Sequence, residues 1–408
     1  MPLLLSISLL LLIIFGQASK LIRIPFGSSS ISSYPIFALI FILSAVIIYI
    51  IKKRTNKELL NYFFIFFVFL LLFTTYTILY IQIYMIDIKY MFALLINIPI
   101  FLILYYSVYR YSDTFDKIYK IMGIYVFILF LLIITAFLVS GIEFQDLIRV
   151  IFTASTYLHT EGKENSLVYA AFKIEEHLLG RQSGEQFLTG VQLSIYPFIY
   201  FMLHQLAIIQ NSNISRFAFF TYIISIIFVL LFNSRGMTVS MLLIFIVMNY
   251  RNKYLIKSIL IFVSIIPVVS LISMNQDILS GRGAMAELFI NNFTLLGNGI
   301  GSSFQDVKEL TRMRGTHELI SYHNIHFEFI HNFGYILYLM IFLFFWYKII
   351  VTIDILKLRI LSIIYILTFV LMGTNLNLLD FYYIFPLAVL LGIMKRYNKN
   401  IKYRKIKR

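Results

Sequence analysis

The chain has 408 residues, 60% of them hydrophobic, 17% aromatic and only 13% charged, at a mean hydropathy of +0.88. Soluble domains carry about 25% charged residues, so an ordinary globular domain is excluded, as are disordered, fibrous and disulfide-rich chains. The lack of cysteine removes disulfides, thiolate metal sites and cysteine nucleophiles.

Apolar runs predict twelve spans, near 2–16, 35–51, 60–84, 90–109, 121–140, 188–208, 217–233, 236–250, 257–273, 332–349, 360–374 and 380–394. The expected fold is all-α: a polytopic membrane protein of about 12 transmembrane helices, GT-C-like, forming one integral membrane domain over residues 1–408. The first run has no Lys or Arg before Lys20. It therefore lacks the charged region of a secretory signal and reads as a retained span, although Ala18 offers a possible cleavage site.

The net charge of +15 would suggest nucleic acid on a soluble surface. Its distribution gives another cause. With the N-terminus cytoplasmic, the inside segments collect 22 of the 34 basic residues against 4 acidic ones, or +18. The opposite side holds 12 basic and 15 acidic residues, or −3. This asymmetry follows the positive-inside rule, with both termini cytoplasmic and no nucleic-acid partner needed.

Two connections are long, 141–187 and 274–331, and both fall on the exported side. They hold six of the seven histidines: His159, His177, His317, His323, His326 and His331. Loops of this length usually carry function or disorder.

Four groups in or beside these loops carry candidate chemistry. Gly180-Arg181-Gln182-Ser183-Gly184-Glu185 precedes the sixth span. Its Arg181 is either an interfacial anchor or a fixed cation for an anionic head group. Asn233-Ser234-Arg235-Gly236 lies between two spans with no room for a conventional loop. A charge there must snorkel or find an anion. Gly236 allows a tight turn, and Asn233 and Ser234 can cap the next helix or donate to phosphate.

The third group is Gly281-Arg282-Gly283 with Leu296-Gly297-Asn298-Gly299-Ile300-Gly301. No strand precedes the glycines and no βαβ unit surrounds them, so a nucleotide fingerprint is set aside. A turn that lets backbone approach substrate or bilayer is expected instead. The fourth group runs from His323-Asn324 through His326, Glu328 and His331 to Gly334. At 100° per residue, His323, His326 and His331 lie within about 140° of one helical face. The sequence has no His-Glu-x-x-His signature, and no metal is expected. His323 is suited to general-base work, and Glu328 is a second candidate for proton transfer.

Taken in order, these groups resemble the O-antigen polymerase and O-antigen ligase family of bacterial membrane glycosyltransferases. The matching elements are Ser234-Arg235-Gly236, Gly281-Arg282, Leu296-Gly297-Asn298-Gly299, His323-Asn324, Phe327-Glu328 and Gly334, with Arg181-Gln182-Ser183-Gly184 earlier. They lie within residues 175–340, and the earlier spans agree only in topology. The Asn-Pro pair that usually follows Arg-x-x-Gly is missing around Glu185–Gln192.

The resemblance implies glycan donors on undecaprenyl diphosphate, presented on the exported leaflet of the inner membrane, and no cofactor. It implies that Arg181, Arg235 and Arg282 bind the diphosphate with Ser234, and that Asn324 holds substrate or loop. His323 would take the acceptor proton, with Glu328 orienting it or sharing that role. The acceptor separates a polymerase, which extends another lipid-linked repeat unit, from a ligase, which charges lipid A core; the polymerase is preferred. A repeat-unit flippase is the alternative from another class. A chain-length regulator and a flippase of the same pathway are the protein partners implied.

Overall fold

The computed structural model describes residues 3–17, 23–26, 29–51, 88–111, 113–140, 190–210, 214–231, 235–248, 288–299, 325–340 and 385–396, with isolated positions elsewhere. The described chain is mostly helical. In order its elements are α1 (Leu3–Gln17), β1 (Arg23–Phe26), β2 (Ser29–Ser32), α2 (Ser33–Ile51), α3 (Ile88–Arg110), α4 (Asp113–Ser140), α5 (Gly190–Ile209), α6 (Arg216–Leu231), α7 (Arg235–Met248) and α8 (Ile325–Phe333). A further helix covers 385–396.

Seven of the expected spans coincide with α1 to α7 within a few residues, except that α4 starts earlier, at Asp113. The twelfth overlaps the 385–396 helix. The span expected at 257–273, and most of 60–84 and 360–374, lie outside the described residues. The tenth begins later than expected: α8 stops at Phe333, Gly334 adopts φ 90°, and helix resumes at 335. The all-α expectation also omits a hairpin. β1 and β2 pair antiparallel, with Ile24 opposite Ile31 and Phe26 opposite Ser29. The two-residue link Gly27-Ser28 has Gly first, a composition that favours tight hairpin connections.

Among the described residues no helix is long and apolar enough to cross a membrane. The compositions are nevertheless strongly apolar. α2 has 19 residues without a charged one, and α5 has 20. At 1.5 Å per residue each is about 30 Å long.

The contacts divide the chain into two compact units. One contains Met1–Gly16, Tyr34–Phe115 and Gln276–Arg408; the other contains Gln17–Ser33 and Asp116–Asn275. In the second unit, α4 and α5 run antiparallel. Tyr125 meets Tyr196 edge to face at 4.7 Å, Tyr119 stacks on Tyr200 at 5.2 Å, and the Tyr119 hydroxyl lies 2.5 Å from His204 Nδ1. Gly123 makes this approach possible, since a Cβ there would stand 3.1 Å from the Tyr200 hydroxyl.

The α5–α6 pair is also antiparallel. Gln205 Nε2 donates to the Tyr222 hydroxyl at 2.9 Å, Thr221 Oγ1 donates to the Tyr200 hydroxyl at 2.8 Å, and His204 stacks on Tyr222 at 4.0 Å. Ser215 caps α6 by accepting from the Ala218 amide at 3.2 Å. By contrast α4 and α6 run parallel, with Phe127 against Phe217 and Phe130 against Phe228.

In the first unit, the Tyr34 hydroxyl of α2 donates to Asn97 Oδ1 of α3. The 385–396 helix lies along α3 in the same direction. Gly392 sits against Tyr105 and Val108, Lys395 lies over the Tyr109 ring at 4.3 Å, and Arg396 Nη1 reaches the Tyr111 carbonyl at 3.4 Å.

α6 presents a stripe of large apolar side chains outward, where a helix on a water-soluble domain presents polar ones. Its exposed positions include Phe217, Phe219, Phe220, Ile223, Ile227 and Leu230, each at least 41% exposed. Thr221 and Ser225, both at 0%, face inward with Tyr222. α2 likewise exposes Leu39, Ile40, Leu43, Val46 and Ile47.

Candidate functional site: a glycine turn docked on a short polar helix

Two of the singled-out groups come together in the first unit. α8 runs from Ile325 to Phe333 and places Glu328, His331 and Asn332 one turn apart. All three are 0% exposed. Phe327, on the flank of the helix, stacks on Phe289 at 4.3 Å, and Ile330 packs in the same apolar cluster. The chemistry-bearing face of α8 is therefore turned into the protein.

A helix end leaves carbonyls without intrahelical donors. Here they are answered by a distant segment. The Asn298 amide donates to the His331 carbonyl at 2.8 Å, and the Gly299 amide donates to the Asn332 carbonyl at 3.2 Å. The Gly334 amide closes the last turn on Ile330 at 2.7 Å. Beyond it, Tyr335 and Ile336 donate back to the Thr294 and Leu295 carbonyls. Gly297, Gly299 and Gly334 all have φ of 90° or more in the left-handed region. Only glycine adopts that backbone readily.

The Gly297 amide is itself held by Thr294 Oγ1 at 3.0 Å. All three amides of the turn are thus used within the protein, and the turn is not an open cradle for phosphate. Its close approach is to the end of α8, in place of the substrate or bilayer expected from sequence. The glycines serve the contact with the end of α8.

Side chains complete the joint. Asn298 Nδ2 donates to the Asn292 carbonyl at 3.0 Å and lies 3.3 Å from His331 Nδ1. Ser302 Oγ donates to the Gly299 carbonyl at 2.9 Å and lies 3.3 Å from Asn332 Oδ1. Asn292, Thr294, Ser302 and Asn332 were not singled out in the sequence. The one signal for them was Thr294 three residues before Gly297, the spacing at which a hydroxyl can reach an amide.

The remaining candidates have the following places. Arg235 is the first residue of α7. The side chain of Arg235 lies outside the described residues, as do Ser234, Arg181, Arg282, His323 and Asn324. Glu328 is described and fully buried. His323 and Asn324 stand immediately before the first residue of α8 in sequence. Among the described residues no group of three or more His, Cys, Asp or Glu is placed to hold a metal ion.

Chemically, this arrangement provides a short helix fixed at its C-terminal end, carrying a buried carboxylate, imidazole and amide. The residue pair suited to proton transfer and acceptor binding, His323-Asn324, lies at its other end in sequence. The chain matches no known protein family, no curated protein and no solved structure.

Proposed function

We propose that the protein is a polytopic inner-membrane glycosyltransferase that polymerises lipid-linked repeat units on the exported face. The observation that carries this reading is the docking of the Leu296–Gly299 turn onto the end of α8. Leu296–Gly299 and Gly334, two elements on which the resemblance rests, meet there backbone against backbone.

Two further observations support the membrane setting. α6 and α2 present large apolar side chains outward, while α6 turns Thr221, Tyr222 and Ser225 inward. Water disfavours that arrangement and hydrocarbon favours it. The helix directions also agree with strict alternation across a bilayer. α4 and α6, fifth and seventh in the expected span order, run parallel. α5, the sixth, opposes α4 and therefore also α6, which runs parallel to α4. α3 and the 385–396 helix, fourth and twelfth, run parallel.

In the proposed reaction the acceptor hydroxyl gives its proton to the His323 imidazole. Its oxygen then bonds the anomeric carbon of the donor glycan. The bond from that carbon to the diphosphate oxygen breaks, and the electron pair leaves on the diphosphate. Arg181, Arg235 and Arg282 hold the growing negative charge, with Ser234 donating. Charge-assisted hydrogen bonds of this kind contribute about 1.5–3 kcal/mol each. A positioned general base contributes about 10²–10⁴ in rate. The diphosphate link supplies the driving force, so no nucleotide is consumed.

The test is the glycan phenotype of a deletion strain. Loss of a polymerase leaves single repeat units on lipid A core, or accumulated lipid-linked single repeats in a capsule producer, and no ladder. His323→Ala should reproduce that pattern. Bare core with abundant lipid-linked polymer would instead assign a ligase, and repeat units trapped on the cytoplasmic leaflet would assign a flippase.

A further inference from the structure

The joint between the glycine turn and α8 also governs a covalent change in the chain itself. Asn298-Gly299 is the one Asn-Gly pair in the sequence. Asparagine is a thermolabile residue. Its lability is greatest before glycine, where no side chain hinders attack by the following amide nitrogen on the asparagine Cγ. In this protein the pair sits at the centre of the contact with α8, and each group the attack would use is engaged.

The attacking nitrogen would be that of Gly299, whose N–H donates to the Asn332 carbonyl at 3.2 Å. To act as a nucleophile it must give up that proton. The Asn298 amide donates to the His331 carbonyl at 2.8 Å. The peptide units before and after Asn298 are therefore both fixed on the end of α8. Rotation between them, which brings the nitrogen to Cγ, is opposed by two hydrogen bonds. The side chain is fixed as well. Its Nδ2, the leaving nitrogen, donates to the Asn292 carbonyl at 3.0 Å and lies 3.3 Å from His331 Nδ1. Gly299 is buried and Asn298 is half-buried.

We propose that Asn298 is a latent deamidation site, kept intact by the closed joint, and that its conversion prevents the joint from closing again. In the open joint the Gly299 nitrogen loses its proton to water and bonds Asn298 Cγ. The Cγ–Nδ2 bond breaks, and Nδ2 takes a proton from water and leaves as ammonia. Water then adds to one of the two carbonyls of the cyclic imide. Breaking the bond between Cγ and the Gly299 nitrogen gives aspartate. Breaking the bond between the main-chain carbonyl carbon and that nitrogen gives isoaspartate. One water is consumed and one ammonia released.

Neither product fits the closed joint. Aspartate puts an acceptor oxygen where Nδ2 donated, facing the Asn292 carbonyl, which is an acceptor too. The carbonyl then loses its donor. Isoaspartate routes the main chain through Cγ and adds a carbon between residues 298 and 299. Their amides then no longer match the successive carbonyls of His331 and Asn332.

The experiment follows Asn298 by peptide mass spectrometry in the full chain, purified in a mild detergent and incubated at mildly alkaline pH. One sample stays folded and another is unfolded in guanidinium chloride. Deamidation should be at least about tenfold slower in the folded sample, since it proceeds only from the fraction of joints that are open. Gly334→Ala, which breaks the joint from the α8 side, should raise the folded rate about tenfold. Thr294→Val, which releases the Gly297 amide and keeps both glycines, should raise it by a smaller factor. This second variant keeps the test available where Gly334→Ala does not accumulate. Asn298→Asp should lower the thermal midpoint below that of wild type.

Equal rates in folded and unfolded wild-type protein would overturn the proposal. So would a folded rate unchanged by Gly334→Ala and Thr294→Val alike, or an Asn298→Asp midpoint equal to that of wild type.

Discussion

Gly297 and Gly334 lie backbone against backbone, and the relationship is reciprocal. A Cβ on either would stand 2.7 Å from the amide nitrogen of the other. Both also hold φ at 90°. Either glycine alone would be a turn residue; together they form the joint that fixes the end of α8.

Gly297→Ala and Gly334→Ala should therefore each be severe. Left-handed backbone costs a non-glycine residue about 1–3 kcal/mol, and the steric conflict adds to it. Each change should lower the thermal midpoint of the detergent-solubilised protein. The double variant should lose less than the two single losses combined, because both break one contact. Additive losses, or midpoints equal to wild type, would show that the joint does not hold the helix.

The Tyr119–His204 bond connects α4 to α5 inside the second unit. Tyr119→Phe keeps the ring stacked on Tyr200 and removes only the hydroxyl that meets Nδ1. A net loss of about 0.5–1.5 kcal/mol is expected, with about 1–3 kcal/mol as the bound if His204 is left unsatisfied. His204→Leu in the Tyr119→Phe background should recover part of that loss, measured as the midpoint of denaturant unfolding in detergent. No recovery would mean that the stacking on Tyr222, and not the hydrogen bond, carries the contact.

Topology is open to direct chemistry because the chain has no cysteine. Thr160→Cys and Leu310→Cys should react with an impermeant thiol reagent in intact spheroplasts. Asn400→Cys should react only after permeabilisation. The reverse pattern would invert the orientation drawn from the +18 and −3 charge split.

The diphosphate clamp predicts that Arg181→Ala and Arg235→Ala remove polymer while membrane levels of the protein stay normal. Arg235→Lys should retain part of the activity, since an ammonium keeps the charge but lacks the two-pronged donor. Normal glycan ladders in both alanine variants would end this assignment.

Much of the helical organisation was legible in the sequence, and for a physical reason. An apolar stretch of about 20 residues needs no partner to be recognised, which is why α2, α5 and α6 stand close to where their apolar runs put them. The hairpin at Arg23–Ser32 was missed because four-residue strands carry little periodicity, and Pro25 reads as a breaker. The tenth span was drawn through Gly334 because hydropathy does not register φ. At the site, the sequence marked the glycines but not their purpose. Whether a glycine turn approaches a ligand or another piece of backbone depends on what lies opposite, and Gly334 is far from Gly297 along the chain. Asn332 and Ser302 were invisible for the same reason, since a single polar residue acquires meaning only from its partner.

The inward polar groups of α6 also bear on how the second unit assembles. Ser225 Oγ donates to the Thr221 carbonyl of its own helix, so it does not oblige α6 to wait for a neighbour before leaving water. Thr221 Oγ1 has the Phe217 carbonyl of its own helix within 3.0 Å as well as the Tyr200 hydroxyl of α5 at 2.8 Å. Tyr222 depends on α5 outright, because Gln205, which donates to its hydroxyl, and His204, on which its ring stacks, belong to that preceding helix. α5 therefore supplies the rotational setting of α6. The ribosome delivers α5 first, so the surface that sets α6 is already present when that helix emerges.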